Sequence, residues 1–434
     1  MSQYRAYPAY KDSGIEWIGQ VPEHWKIAQI KRISALNPRK STLSEEKDSL
    51  CTFLPMEKLR TNAVTLDETR PIHEVYGGYS YFCDGDILIA KVTPCFENGN
   101  IAVANGLVNG IGFGSTEINV LRVNGKGHNR FLYYRLQEEQ FRTIAKSEMR
   151  GTGGLKRVPT DLFESFTIGL PDTDEQATIA ATLDRETARI DALIERKSRF
   201  IELLKEKRQV LITHAVTKGL DSNAKMKDSG IEWIGQVPEH WDVKPFFASV
   251  TELNRKNVGL AETNILSLSY GNIIQKPEAR NMGLTPVSYE TYQIVESGEV
   301  VFRFTDLQND KRSLRSAQVT QRGIITSAYM AVKPHSIDST YFAWLMRSYD
   351  LCKVFYAMGG GLRQSLKFED VRRLPVLIPP VDEQSEITNT INAGTARIDA
   401  LVEKTEQSIT LLKERRAAFI TAAVTGQIDL LGKQ

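Results

Sequence analysis

The chain has 434 residues, of which 41% are hydrophobic and 25% are charged, as is usual for a globular protein. This length predicts two to four domains of about 100 to 200 residues each. The net charge of +2 is unusual for a protein that coats nucleic acid indiscriminately, but it is compatible with local basic faces.

The cysteine pattern and the N-terminus indicate a cellular compartment. The four cysteines show neither the close pairs of a zinc site nor the density of a disulfide scaffold. The N-terminus lacks the apolar region of a signal peptide, and no stretch approaches the roughly 20 apolar residues of a membrane span. We therefore expect a soluble protein of the reducing cytoplasm, with no membrane association.

The first feature along the chain is a segment that occurs twice. KDSGIEWIGQVPEHW fills residues 11–25 and returns unchanged at residues 227–241. Further along, TARIDALIE at 187–195 is matched by TARIDALVE at 395–403, an offset of 208 residues. Matches of this length at similar offsets predict that the whole chain is a tandem repeat of one unit.

Each copy is predicted to open with a globular α/β (α+β) domain. DILIAKV and EINVLRV have the composition of strands, and NRFLYYRLQEEQFRTIA has the pattern of one amphipathic helix. The skeleton persists in the second copy, where GEVVFRFT resembles GDILIAKVT and YFAWLMR resembles FLYYRLQ. We predict these globular domains at residues 1–170 and 220–378.

Each copy is predicted to end in a long helix, at residues 171–219 and 379–434. Apolar residues recur there every seven positions, which is typical of a coiled-coil seam. Two such helices in one chain most simply form an antiparallel coiled coil. Lys197, Arg208 and Arg416 interrupt the seam, and they either set its register or face a bound partner subunit. The seam positions are Leu183, Ile190, Leu204 and Leu211 in the first helix and Ile391, Ile398, Leu412 and Phe419 in the second.

Basic residues cluster in the loops of both globular domains. Residues 26–40 contain five basic residues and no acidic one, and the glycine run RGTGGLKR is flanked by arginine and lysine. Glycine lets the backbone approach phosphates closely, while long basic side chains reach base edges. Basic loops are usually only solvated surface, but matching loops in both copies favour DNA binding. The predicted DNA-binding residues are Arg39, Lys40, Lys91, Arg150, Lys156, Arg157, Arg255, Lys256, Arg303, Arg363 and Lys367.

Catalytic motifs are missing from the sequence. It has no phosphate-binding G-x-x-x-x-G-K-[ST] loop and no Asn/Asp-Pro-Pro-aromatic motif of an adenine methyltransferase. His24 and His240 each follow Pro-Glu inside the repeated segment, where a turn histidine held by packing is the favoured interpretation. The remaining histidines lack partners at metal-ligand spacing. We therefore predict a non-enzymatic chain with no catalytic residue, metal or cofactor.

Two divergent α/β domains that alternate with two near-identical helices resemble the specificity subunit of a type I restriction-modification enzyme. The resemblance rests on KDSGIEWIGQVPEHW and on the helix starts PDTDEQ at 171–176 and PPVDEQ at 379–384. It implies that each globular domain is a target recognition domain for one half of a bipartite DNA site. It also implies that the helices space these domains and dock two methyltransferase subunits, to which restriction and translocase subunits attach.

Two alternatives stay open at the level of sequence. One is a coiled-coil adaptor that binds no DNA, and the other is a stand-alone DNA-binding regulator. For the repeated segment, we expect Trp17, Trp25, Trp233 and Trp241 to pack against the helical scaffold at the entry to each recognition domain. An identical scaffold beside divergent readers fits a chain that presents itself twice to one kind of partner.

Overall fold

The computed structural model describes residues 4–43, 46, 48–276, 288–307, 310, 313–358 and 365–432. The chain divides into two units, which we call unit 1 (Met1–Lys197 with Gln407–Gln434) and unit 2 (Ser198–Glu406). Each unit therefore contains one globular part together with a portion of both long helices.

Unit 1 contains short strands and short helices before the first long helix. Its strands are β1 (Tyr10–Asp12), β2 (Gln20–Pro22), β3 (Lys26–Gln29), β4 (Ser34–Leu36), β5 (Leu50–Leu54), β6 (Leu59–Arg60), β7 (Ala63–Val64), β8 (Thr69–Pro71), β9 (Ser80–Cys83), β10 (Ile87–Ala90), β11 (Ile101–Val103), β12 (Ile111–Gly114), β13 (Ile118–Val123), β14 (Arg150–Thr152), β15 (Leu155–Arg157) and β16 (Thr167–Leu170). Its short helices are α1 (Ile72–Val75), α2 (Asn129–Arg135), α3 (Glu139–Ser147) and α4 (Thr160–Ser165).

The long helix α5 (Thr173–Lys218) begins in unit 1, and the second long helix α9 (Val381–Val424) begins in unit 2. The strands of unit 2 are β17 (Met226–Asp228), β18 (Gln236–Pro238), β19 (Asp242–Pro245), β20 (Val250–Leu253), β21 (Leu266–Ser269), β22 (Asn272–Gln275), β23 (Gln293–Val295), β24 (Val300–Phe302), β25 (Ser316–Gln318), β26 (Gly323–Ile325), β27 (Met330–Pro334) and β28 (Pro375–Ile378). Its short helices are α6 (Ser339–Leu351), α7 (Val354–Met358) and α8 (Phe368–Val371).

Two four-stranded sheets form the globular part of unit 1. The first has the order β11-β10-β13-β4, and all its neighbours are antiparallel. All four residues of β10 are buried, as expected for an apolar strand inside a sheet. The second sheet has the order β8-β5-β12-β9, in which β5 and β12 run parallel. The predicted strands DILIAKV and EINVLRV are confirmed as β10 and β13.

The described part of unit 2 repeats the first of these sheets in full and the second only in part. Its sheet β20-β27-β24-β25 follows the order of β4-β13-β10-β11, and β19 pairs with β28 as β3 pairs with β16. A parallel bridge joins Ile265 to Ile324, where β5 and β12 run parallel in unit 1. The tandem repeat predicted from the sequence is therefore a repeat of fold.

One predicted helix is wrong in extent. NRFLYYRLQEEQFRTIA forms two helices, α2 and α3, rather than one. The break occurs at Glu138, whose carboxylate accepts hydrogen bonds from the backbone N–H groups of Gln140 and Phe141 and so caps α3. In unit 2 the corresponding region also breaks, but later, because α6 continues to Leu351 and α7 begins at Val354.

The long helices pack antiparallel within each unit, as the heptad pattern predicts. In unit 1, Nε of Arg416 lies 2.9 Å from Oδ1 of Asp191. In unit 2, Nε of Arg208 lies 3.0 Å from Oδ1 of Asp399. These are the same contact made twice, because each partner recurs 208 residues later. Both ion pairs favour the register-setting interpretation of Arg208 and Arg416, and Lys197 is half-buried on α5.

The sequence D-E-Q at each helix start joins the helix to the globular part. The side chain of Gln176 donates to the carbonyl of Pro171 (2.9 Å) and accepts from the backbone N–H of His128 (2.8 Å). Gln384 makes the equivalent bonds to the carbonyl of Pro379 (2.8 Å) and the N–H of Asp338 (2.7 Å). The glutamine thus positions the residue before α2 or α6 against the start of the long helix.

The repeated segment clamps a helix start to a helix end. In unit 1, the buried indole of Trp25 donates to Glu175 at the start of α5 (3.0 Å). A Cβ added to Gly426, just after α9, would lie 3.2 Å from the same ring. Glu175 also accepts from the hydroxyl of Tyr7 (2.7 Å) and contacts the ring of His24 (2.8 Å). His24 is therefore held by a carboxylate as well as by packing, since the centre of its ring lies 5.6 Å from that of Tyr7.

Unit 2 builds the same clamp with the roles of the helices exchanged. Trp241 donates to Glu383 at the start of α9 (3.0 Å), and a Cβ on Gly219 after α5 would lie 3.3 Å from its ring. His240 lies 2.7 Å from Glu383. Both glycines have a φ of +77°, the left-handed conformation that commonly ends a helix.

The other two tryptophans of the repeated segment are half-exposed and have ring contacts with the globular parts. Trp17 and Trp233 are 45% and 44% exposed. The Trp17 ring lies 6.4 Å from that of Phe166, and the Trp233 ring lies 4.7 Å from that of Tyr349. These ring contacts are with the globular parts, so contact of Trp17 and Trp233 with the helical scaffold stays a prediction.

Candidate nucleic-acid interface

An exposed β-hairpin carries three of the predicted DNA-binding residues of unit 1. Strands β14 and β15 pair Arg150 with Arg157 and Gly151 with Lys156. Gly153 and Gly154 form the two-residue turn with φ values of +64° and +82°, which explains why this turn needs glycine. Every residue from 150 to 157 is exposed. The hairpin is therefore a ribbon without a core of its own.

The loop after β10 holds strand β15 and the turn of this hairpin. Thr93 accepts from the backbone N–H of Lys156 (3.0 Å) and donates through its hydroxyl to the carbonyl of Gly154 (2.8 Å). The backbone N–H of Val158 donates to the carbonyl of Lys91 (2.8 Å). These bonds bring Lys91, Arg150, Lys156 and Arg157 together in one part of unit 1.

The three basic side chains of the hairpin differ in their freedom. Arg157 makes a bidentate pair with Glu117, in which Nε–Oε2 is 2.9 Å and Nη2–Oε1 is 2.6 Å. The guanidinium of Arg157 lowers the pKa of the Glu117 carboxyl below its ordinary value. Arg150 has only a distant acidic neighbour, Glu148 at 3.9 Å, and its side chain is 77% exposed. Arg157 therefore anchors the hairpin, whereas Arg150 and Lys156 extend into solvent.

Arg39 and Lys40 lie beside the second sheet of unit 1. The ammonium of Lys40 donates to the carbonyl of Tyr76 (2.6 Å) and lies 5.8 Å from the centre of the Phe113 ring. Partial burial lowers the pKa of the Lys40 ammonium from its ordinary value. Lys40 is thus held within the fold, while Arg39 is exposed.

In unit 2, Arg255 is held within the fold and Lys256 is exposed, as Lys40 is held and Arg39 is exposed in unit 1. Arg255 forms ion pairs with Glu296 and with Glu299, and Glu299 is buried. Its charge therefore compensates a buried carboxylate inside the unit. Lys256 also follows β20, and its side chain is exposed. Unit 1 neutralises the equivalent buried acid, Asp86, with Arg122 on β13, which the sequence pattern did not indicate.

The remaining candidates of unit 2 surround the exit of β24. Arg303 lies there, and its Nη2 is 3.9 Å from Oδ2 of Asp310. The backbone N–H of Leu366 donates to the carbonyl of Phe304 (3.0 Å), which matches the bond from Val158 to Lys91 in unit 1. Lys367 follows and is exposed. Arg363, in the second glycine run, lies outside the described residues.

Sequence reasoning missed the groups that hold the hairpin. Thr93 and Glu117 are distant from it in sequence and carry no motif, so no local signal indicates them. Leu155 was also missed, although it is a large apolar residue, 56% exposed, beside the glycine turn. The sequence signal for Leu155 was an apolar residue directly after Gly-Gly in a basic segment.

Within the described ranges, no group of three or more His, Cys, Asp or Glu is placed to hold a metal ion. A search of the described helices finds none that is both long and apolar enough to cross a membrane.

Known proteins resemble this chain in sequence and in fold. A model of the type I restriction modification DNA specificity domain matches residues 22–203. The specificity subunit of the type I restriction enzyme EcoEI from Escherichia coli is 32% identical over 167 residues, which is 38% of this chain and 28% of that protein. The alignment therefore spans little more than a quarter of this curated relative's length.

Two solved structures share the fold over nearly the whole chain. The crystal structure of the HsdS subunit from Thermoanaerobacter tengcongensis is 14% identical, with a TM-score of 0.56, and the match covers 94% of this chain and 98% of that one. A structure from work on complex assembly of the type I R-M system is 14% identical, with a TM-score of 0.67, over 93% and 98%. Residues 22–203 therefore match the type I restriction modification DNA specificity domain, and the chain as a whole shares its fold with these two structures.

Proposed function

We propose that this chain reads a bipartite DNA target for a type I restriction-modification enzyme, with one globular domain for each half-site. The target recognition domains are residues 1–170 and 220–378, and the scaffold helices are residues 171–219 and 379–434. Cutting, ATP hydrolysis and methyl transfer belong to other chains of the complex, in the cytoplasm. The chain itself supplies sequence recognition and assembly.

One observation carries this proposal. The two units share sheet order, helix clamp and helix register, yet their exposed basic residues differ. Among the described residues, unit 1 exposes Arg150 and Lys156 on a hairpin, and unit 2 exposes Lys256 and Lys367 beside its strands; the second glycine run, the counterpart of that hairpin in sequence, lies outside the described residues. A constant scaffold with two different readers is what an asymmetric, two-part DNA site requires.

The hairpin of unit 1 is the main reader in this proposal. A two-stranded ribbon fits the major groove, which is about 12 Å wide. Arginine pairs with guanine through two hydrogen bonds, while lysine acts as a point charge on phosphate. We assign base reading to Arg150 and phosphate contact to Lys156, because both side chains are exposed and Arg157 is engaged by Glu117.

The outer faces of the long helices support docking of two copies of one partner. Leu193 and Leu203 of α5 are 41% and 46% exposed, and their equivalents Leu401 and Leu411 of α9 are 39% and 65% exposed. Leu193 and Leu411 belong to unit 1, and their equivalents Leu401 and Leu203 belong to unit 2, so the same pair of exposed apolar residues occurs once in each unit. We propose that two methyltransferase subunits bind there and that the restriction and translocase subunits attach through them.

Filter binding with DNA that carries or lacks the target tests this function directly. We expect selective retention of target DNA only when the chain is combined with its methyltransferase subunit. Retention by the chain alone would favour a stand-alone regulator. A complex that assembles but never retains DNA would favour a coiled-coil adaptor.

A further inference from the structure

Unit 2 contains an open cavity of about 430 Å³ where its globular part meets the two long helices. Its walls come from α5, α6, α9 and β25 and from the hairpin of β21 and β22. This volume is within the range of about 300 to 1,000 Å³ that is typical of small-molecule sites. The walls include Arg208, Tyr270, Thr340, Trp344, Arg347 and Asn392.

Unit 1 has an internal ion pair at the equivalent positions. The guanidinium of Arg130 donates to Asp184, with Nε 2.9 Å from Oδ1. Its carbon Cζ lies 4.2 Å from the centre of the Tyr133 ring. One cation, one carboxylate and one large ring thus occupy this part of the repeat, and the two charges compensate each other.

Unit 2 has none of these three groups. FLYYRLQ at 131–137 aligns with YFAWLMR at 341–347, so Thr340 stands for the arginine and Ala343 for the tyrosine. The offset of 208 residues between the long helices places Asn392 where unit 1 has the aspartate. The first alignment also places Arg347 where unit 1 has Gln137. Unit 2 has therefore lost side-chain volume and a carboxylate here, and it has gained a cation.

Arg347 is a partly buried cation that forms no ion pair with the residues that the structure describes. Asp350, further along α6, instead accepts a hydrogen bond from the backbone N–H of Arg315. Burial, together with the charge of Arg208, lowers the pKa of the Arg347 guanidinium to about 10. An anion bound in the cavity would compensate this charge.

The turn between β21 and β22 holds Arg347 and displays an aromatic ring. Nη2 of Arg347 donates to the carbonyls of Gly271 and Ser316, the latter at 2.8 Å. A Cβ on Gly271 would lie 2.5 Å from Nη1, so the close approach requires glycine. Tyr270 precedes it with a φ of +47°, a costly conformation for tyrosine, and is 82% exposed. Its side chain makes no hydrogen bond or ring contact with the described part of the chain.

We propose that this cavity binds one free mononucleotide, with its phosphate on Arg347 beside Arg208 and its base against Tyr270 and Trp344. Arginine matches the geometry of phosphate, and nucleobases stack on aromatic rings. The amide of Asn272 also lines the cavity and can bind the sugar or a base edge. The cavity has the volume of a small-molecule site rather than of a groove for duplex DNA. This activity is additional to DNA reading and does not depend on it.

The test is isothermal titration calorimetry of the full chain with AMP, for which we expect one binding site per chain. Arg347→Gln introduces the residue of unit 1 and should weaken AMP binding about tenfold or more, because charge-assisted hydrogen bonds are lost. Tyr270→Asn should also weaken AMP binding, while affinity for inorganic phosphate stays the same. Asparagine suits a left-handed turn, so circular dichroism melting of this variant should occur at no lower temperature.

Thr340→Arg with Asn392→Asp restores the ion pair of unit 1 and should abolish AMP binding in a chain that is still folded by circular dichroism. Lys333→Gln is the control, because Lys333 is an exposed cation of β27 outside the cavity, and it should leave AMP binding unchanged. The inference is overturned if the unaltered chain binds no AMP, if Tyr270→Asn binds it undiminished, or if the control weakens it equally. Displacement of AMP by duplex DNA would also overturn it, by assigning the cavity to the DNA interface.

Discussion

Neighbouring basic residues of one hairpin have different physical roles. Arg157 forms an ion pair with Glu117, whereas the side chains of Arg150 and Lys156 are exposed to solvent. The same contrast separates Arg255, paired with the buried Glu299, from the exposed Lys256. An arginine that compensates a buried carboxylate is costly to redirect, because the acid would be left unpaired. The exposed residues are therefore the better candidates for DNA contact.

Lys156→Ala should weaken binding of the assembled complex to target and non-target DNA alike. Loss of one phosphate contact lowers the slope of log affinity against log salt by about one. Arg150→Ala should instead cost about 1 to 3 kcal/mol on target DNA and relax one base position. Filter binding over a salt series measures both effects. Lys205→Ala, on the long helix, is the control, and an unchanged salt dependence for both hairpin variants would show that the hairpin does not face DNA.

The positions of these residues could be predicted from sequence, but their partners could not. A glycine run flanked by Arg and Lys marks the hairpin through local chemistry alone. Glu117 is 40 residues away from Arg157, and Glu299 is 44 residues away from Arg255. Such pairs depend on which strands meet in the sheet, and a single sequence contains no signal for that.

At the scale of elements, the repeated segment is explained by the antiparallel helices. Trp25 joins the start of α5 to the end of α9, and Trp241 joins the start of α9 to the end of α5. An antiparallel pair needs this clamp twice. The clamps are unequal, because Tyr7 gives Glu175 an additional donor and Glu175 is more deeply buried than Glu383.

Glu175→Ala should therefore destabilise the chain more than Glu383→Ala. The first change leaves Tyr7 and Trp25 without their acceptor, at about 1 to 3 kcal/mol for each buried group. The second leaves only Trp241 and a half-exposed histidine. Urea unfolding measures both costs, and Glu206→Ala on the exposed face of α5 should stay within about 0.5 kcal/mol of the original chain. A larger loss for Glu383→Ala would mean that hydrogen bonding does not set the strength of the clamp.

Long elements could be predicted more completely than short ones. The heptad pattern predicted both long helices and their antiparallel pairing, because the seam repeats over many turns. The break between α2 and α3 was missed, since a glutamate cap inside an amphipathic pattern looks like an ordinary helical residue. The hairpin of β14 and β15 lacks apolar alternation, so its strands had no periodic signal.

For the whole molecule, the long helices are proposed to set the length of the unspecified spacer in the target. Four residues inserted after Arg199 and four after Gln407, which are equivalent positions of the repeat, keep each Asp–Arg pair within its own unit. Each helix grows by about 6 Å and rotates by about 40°. Because a base pair occupies about 3.4 Å, the spacer should lengthen by one or two base pairs.

Methylome sequencing of cells that express this variant with its methyltransferase reports the new spacer. An insertion after Arg199 alone should disrupt the helix register and abolish assembly, which makes it the control. An active complex with the original spacer would contradict the proposed role of the helices.

The central claim is that the two globular domains read the two half-sites independently. An exchange of residues 26–170 with those of a related specificity subunit tests it, and these limits keep β3 and β16 together because they pair. The measurement is again the methylome of cells that express the exchanged chain with its methyltransferase. We predict that one half of the methylated motif changes while the other half keeps its bases. A change in both halves, or in neither, would contradict the claim.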